Sequence, residues 1–232
     1  MQITRLESQK KDPNRVNVYV DGKFAAGLNL NEIARLGLYN GQEITRTELD
    51  KIVKESEFGK LFNAAVNFLS FRPRSEKEIR DYLKKRIKGK ESRIKKKKES
   101  PPDSEFQKLN PSTTEVITKL STLGQVNDEA FARWFIDQRH EFKLEGERAI
   151  KYELLKKGVD RKLIDRVFAS SEDAGNKTET EETLARRAVK KKFKTADFCD
   201  RKTKIKAQRF LLSRGFNWET VSSVIEKLSK KD

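Results

Sequence analysis

Val16, Val18 and Val20 alternate with polar residues and so share one face of a strand. Asp21-Gly22 follows, a pair suited to a two-residue hairpin turn in which both central residues take positive φ. Residues 23–28 return as a further strand. Ile3, Thr4 and Leu6 form an earlier β-prone run that breaks at Asp12-Pro13-Asn14. A three-stranded antiparallel sheet is expected at the N-terminal end.

From Asn31 the apolar period changes to that of helices. A short helix ends at Gly37, and Thr45-Arg46-Thr47-Glu48 has capping-box spacing ahead of Leu49, Ile52 and Val53. A new helix is expected near Gly59, with Phe62, Ala65, Val66 and Leu69 on one face. Pro73 ends it, and Ser75-Glu76-Lys77-Glu78 is a second capping box. Val116, Ile117 and Leu120 carry another helix to Gly124. Further helices are expected from Asn127 or Asp128 with Phe131, Trp134 and Phe135, over 147–157 with a stop at Gly158, and over 161–168. A polar linker at 170–178 leads to three more, near 179–194, 201–214 and 218–229.

These helices repeat. Placing Leu83, Leu154 and Leu211 in register aligns Ile79, Ile150 and Ala207 four residues upstream. It aligns Gly158 with Gly215 downstream, where the first copy has Ile87. Apolar residues four apart followed by Gly describe a helix face and its C-terminal stop. The expected fold is mainly α: an N-terminal β segment (1–58), then three tandem three-helix modules at 59–124, 125–170 and 179–232 in an elongated array. Residues 88–110, rich in Lys and containing Pro101-Pro102, read as a disordered basic insertion in the first module.

Of the 232 residues, 35% are hydrophobic and 38% charged, which suits several thin helical modules better than one large core. The net charge of +16 is concentrated in two places. Residues 84–98 carry +9 and residues 186–214 carry +10, so the rest of the chain stands at −3. Local positive fields attract polyanions, nucleic acid first among them. The single cysteine, Cys199, excludes an intramolecular disulfide and reads as a small packing residue. No apolar run long enough for a membrane span or a leader peptide occurs, and a cytoplasmic monomer is expected.

Catalytic equipment is scarce. His140 is the only histidine and lies in a different module from Cys199. The eleven glycines form no phosphate loop or dinucleotide fingerprint. Carboxylates sit in Glu-Lys patterns such as Glu76-Lys77-Glu78, which serve capping and surface pairing. No cofactor, metal site or enzymatic activity is expected. Trp134, Phe135, Phe131 and Trp218 could stack on bases, but their helical spacing assigns them to the core. Three-helix modules also suggest helix-turn-helix DNA readers, yet no recognition helix stands out.

The segment Leu69-Ser70-Phe71-Arg72-Pro73-Arg74-Ser75-Glu76-Lys77-Glu78-Ile79-Arg80-Asp81-Tyr82-Leu83 resembles the signature of the RecX family of bacterial recombination regulators. Residues 127–135 resemble the start of that family's second module, and residues 18–24 its N-terminal extension. Ile87 in place of Gly, the basic insertion, and Glu147 after Gly146 depart from the pattern. The resemblance implies a non-enzymatic modulator of DNA repair, recombination and the SOS response. It would bind the RecA filament on single-stranded DNA and inhibit ATP hydrolysis and strand exchange. The expected contact residues are Arg72, Arg74, Arg133, Lys190, Lys191, Lys192, Arg209 and Arg214, with weak, non-specific binding to single-stranded DNA alone. The alternative is a general sequence-independent nucleic-acid-binding protein without a recombinase partner.

Overall fold

A computed structural model describes residues 1–10, 12–96, 113–173, 180–194 and 198–230. The chain divides into two compact units, residues 1–72 with 79–126, and residues 73–78 with 127–232. The architecture is mainly helical, with an N-terminal three-stranded antiparallel sheet and three three-helix modules.

In the first unit the strand order is β1 (Ile3–Gln9), β2 (Asp12–Val20), β3 (Lys23–Asn29). Asp21 (φ 49°) and Gly22 (φ 76°) both adopt the left-handed conformation that the hairpin turn demands. Asp12-Pro13 does not break the sheet but opens β2. Pairing with β3 begins at Arg15↔Asn29, so the missing N–H of Pro13 costs that ladder nothing. Helix α1 (Leu30–Leu36) starts in a capping box: Glu32 N–H donates to Asn29 Oδ1 at 2.8 Å and Asn29 N–H to Glu32 Oε2 at 2.7 Å. Helix α2 (Arg46–Leu69) has its own box at Thr45 and Glu48, and the Thr45 backbone N–H leads in holding the Glu48 carboxyl below its usual range.

The break expected near Gly59 is absent, because α2 runs on as one helix. Gly in a helix interior costs about 1 kcal/mol against Ala. Here a Cβ at residue 59 would sit 2.8 Å from Glu32 Oε1, so the small residue admits the α1 capping carboxylate. The N-terminal half of α2 covers the sheet through Leu49, Ile52 and Val53. Its buried Ser56 hydroxyl donates to Gly27 O at 2.9 Å. The C-terminal half supplies Leu61 and Ala65 to a second core with Ile79, Leu83, Val116, Ile117, Leu120 and Val126. The latter residues come from α3 (Glu76–Lys96), α4 (Thr113–Thr122) and the turn after it. Helix α3 continues past Ile87, so residues 88–96 of the expected insertion are helical. Residues 97–110 lie outside the described residues.

The second unit contains α5 (Asp128–Gln138), α6 (Glu147–Lys156) and α7 (Arg161–Asp173), then α8 (Glu181–Lys192), α9 (Arg201–Ser213) and α10 (Trp218–Ser229). Helix α7 extends into the residues expected as linker. Each helix triplet has its own core. Phe131, Phe135, Ile150, Leu154, Ile164 and Val167 fill the first. Leu184, Val189, Ala207, Leu211, Phe216 and Val224 belong to the other. Leu83, Leu154 and Leu211 are fully buried, as are Ile79, Ile150 and Ala207, so the aligned positions are the same core positions three times over.

Within the second unit, which includes residues 73–78, the start of one second helix meets the end of the next in a recurring joint. At the α9 end, Gly146 N–H donates to Arg214 O at 2.9 Å. A Cβ on Gly215 (φ +85°) would sit 2.4 Å from Ala149 N, and one on Gly146 would sit 2.6 Å from Gly215 O. Backbone meets backbone there, and only glycine fits on either side. At the α6 end, the Ser75 hydroxyl donates to Lys157 O at 2.7 Å, beside Gly158 (φ +83°). In the repeat register Lys157 matches Arg214, Gly158 matches Gly215, and Ser75 matches Gly146.

Candidate functional site

The expected contact residues do not form one cluster. Arg72 and Arg74 flank Pro73 in the α2–α3 turn, both half-buried, next to Phe71, which is 83% exposed. Arg133 is on α5 and is engaged: its Nη2 donates to Glu129 Oε1 at 3.0 Å and to Ser170 Oγ at 3.1 Å, tying α5 to α7. Arg209 is exposed on α9. Lys190, Lys191 and Lys192 form the last turn of α8, where cations favour the negative end of the helix dipole. Lys191, Lys192 and Arg214 come together around one cavity.

These three line a half-open cavity of about 150 Å³ with Phe142, Lys143, Leu144, Ala188 and Phe210. Its floor is built by a feature without a sequence signal. Helix α5 passes into a five-residue π-helical turn, Arg139–Lys143, that closes at Leu144 with φ 52°. A left-handed conformation costs a non-glycine residue roughly 1–2 kcal/mol. Leu144 is buried in the core of the last module, and that burial offsets the strain. The turn is pinned again where the Arg214 guanidinium donates to Lys143 O. With the turn held at both points, Phe142 stays 63% exposed on the rim.

The electrostatics around the cavity are lopsided. Arg139 Nε contacts Glu153 at 2.7 Å and Glu145 at 3.4 Å, and Lys143 Nζ reaches the same two carboxylates at 3.8 and 3.6 Å. On α8, the side chain of Lys227 hydrogen-bonds Glu182 at 2.6 Å and is the main cause holding its carboxyl below the usual range. Glu145, Glu153 and Glu182 are therefore already paired. Among the described residues Lys191 and Lys192 have no carboxylate partner, and Arg214 is matched only by a neutral carbonyl. Lys192 Nζ stands 4.6 Å and Arg214 Cζ 5.1 Å from the centre of the Phe210 ring, so cation–π contact holds both at the rim.

Other expectations change. Cys199 is exposed rather than packed. Trp218 is 58% exposed at the first turn of α10 rather than buried. Phe131, Trp134 and Phe135 do pack together in a core. His140 falls in the π-helical turn. Among the described residues no group of three or more His, Cys, Asp or Glu could hold a metal ion, and no helix is long and apolar enough to cross a membrane.

Comparison with known proteins covers most of the chain. Residues 1–45 match the N-terminal domain of the regulatory protein RecX. Residues 62–87, 127–167 and 179–225 match the first, second and third three-helix domains of RecX. The chain is 32% identical to the regulatory protein RecX of Listeria welshimeri over 197 residues, covering 84% of this chain but 65% of that protein. It is 28% identical to the regulatory protein RecX of Bacillus subtilis over 227 residues, covering 97% of this chain and 76% of the relative. This chain thus spans less than two thirds of the Listeria relative's length. A crystal structure of a regulatory protein RecX superposes with a TM-score of 0.65 at 21% identity, covering 97% of this chain and 98% of that one. The RecX structure from Lactobacillus salivarius gives a TM-score of 0.52 at 21% identity, over 74% and 96%.

Proposed function

The chain belongs to the RecX family of regulatory proteins, and from that premise we propose that it binds the filament of a RecA-type recombinase on single-stranded DNA and suppresses its ATP hydrolysis and strand exchange. The observation that carries this reading is the repeated module. Three helical units share the same buried positions, and within the second unit residues 75 and 146, at the starts of second helices, receive the ends of the next ones at matching positions. A periodic ligand such as a filament offers the same site again and again, and linked modules convert each further contact into an intramolecular one. Such a regulator acts by occupancy, without chemistry of its own, in the cytoplasm where a recombinase works.

The test is DNA-dependent ATP hydrolysis by the cognate recombinase, titrated with this protein. Inhibition is expected at protein concentrations well below those that sequester the DNA. Inhibition only once free DNA is coated would defeat the recombinase reading. It would favour the alternative, sequence-independent nucleic-acid binding, which the uncompensated Lys191 and Lys192 support.

A further inference from the structure

The cavity between the π-helical turn and helices α8 and α9 combines an exposed aromatic side chain, Phe142, with Lys191, Lys192 and Arg214, which have no carboxylate partner among the described residues. Its volume, about 150 Å³, is below the roughly 300–1,000 Å³ typical of small-molecule pockets. That volume suits a single small group better than an enclosed ligand. Phe142 presents its ring at the rim, while Phe210 is already covered by Lys192 and Arg214. A ring held out by a strained, doubly pinned turn is not a by-product of local helix formation. A π-helical turn inside a helix is itself often found at functional sites.

We propose that this cavity is a nucleotide subsite for single-stranded DNA, with a base stacked on Phe142 and the adjoining phosphates held by Lys191, Lys192 and Arg214. The idea rests on the DNA-bound setting of the proposed function and assigns it a place on this chain. Stacking and phosphate neutralisation are the two terms of sequence-tolerant single-strand binding, and both are present here within one site. The carboxylates of an acidic protein segment would engage the cations but leave the exposed ring uncovered, whereas one nucleotide supplies both a flat ring and a phosphate, and for that reason the base is favoured.

The test is fluorescence anisotropy of a labelled oligo-dT and of an abasic strand of equal length, which keeps the phosphates and removes the bases. The unaltered protein should bind oligo-dT more tightly than the abasic strand. Phe142→Ala should abolish that preference and weaken oligo-dT binding about fivefold or more, with an unchanged salt slope. The double variant K191Q/K192Q should lower the salt slope by about 0.7 for each phosphate no longer neutralised. Phe142 is exposed, so its truncation leaves the fold intact, and a circular dichroism melt checks this. If Phe142→Ala binds both strands as the unaltered protein does, the subsite is refuted while DNA binding stands. If the unaltered protein binds neither strand, the DNA-bound setting itself is wrong. Displacement of oligo-dT by poly-glutamate, with no difference between oligo-dT and abasic strand, would assign the cavity to an acidic protein partner and overturn the proposal.

Discussion

Asp128 shows how one side chain can serve geometry at an electrostatic cost. It is half-buried at the start of α5, where its Oδ1 accepts the Glu76 N–H at 2.8 Å. Burial pushes its carboxyl above the usual aspartate range, the hydrogen bond opposes that, and the Glu76 charge adds to it. The sign follows by linkage. The folded state binds this proton more tightly than the unfolded chain, so stability falls as pH rises from the ordinary aspartate value, about 3.9, through the raised one. Asp128→Asn keeps the acceptor and removes the charge. It should be at least as stable as the natural protein at neutral pH and should lack the decline across that window. Urea unfolding followed through Trp134, which packs in the same module's core, provides the measurement. A variant less stable at neutral pH with an unaltered pH profile would contradict this account.

At the scale of elements, the helix stops are graded by what surrounds them. Gly124, Gly158 and Gly215 all have positive φ. Nothing lies within 4 Å of a Cβ at Gly124, so Gly124→Ala should cost only the left-handed conformation, roughly 1–2 kcal/mol. At Gly158 the obstacle is the Lys77 side chain, which can move. At Gly215 it is the Ala149 backbone at 2.4 Å, which cannot, so Gly215→Ala should cost a further 1–3 kcal/mol or so from overpacking. Denaturant midpoints of the three alanine variants at constant m should fall in that order, and equal costs would show that the joint yields. The stops and the Leu83, Leu154 and Leu211 register were legible because a helical period and a following glycine are local signals. The passage of α2 through Gly59 was not, since it depends on Glu32 from another helix. Nor was Phe142: its exposure follows from a π-helical turn held by Leu144 in the core of the next module, and residues 139–144 carry no pattern that announces it.

For the whole molecule, the proposed inhibition should depend on the modules acting together. Removing residues 179–232 would leave Leu144 without its core, so the truncated chain should carry Leu144→Asn, a residue that tolerates positive φ. If the modules engage the filament in concert, the inhibitory concentration should rise on the order of a hundredfold, because linked sites multiply rather than add. An increase in mere proportion to the residues removed would mean that each module acts alone. The recurring joint has a separate consequence in the first and third modules. A plug is a glycine-stopped carbonyl terminus, and a socket is the N-terminal donor that receives it. The first module offers no plug, since Ile87 stands where the glycine belongs and α3 runs on to Lys96. The third offers no socket, since the matching residue, Thr203, lies inside α9 with its N–H and hydroxyl both donating to Asp200 at 3.0 Å. A head-to-tail contact that repeats without closing generates fibres. With no plug on α3 and no socket on α9, the joint that links these modules gives copies of them no head-to-tail contact: modules proposed to recognise a filament are built so as not to form one.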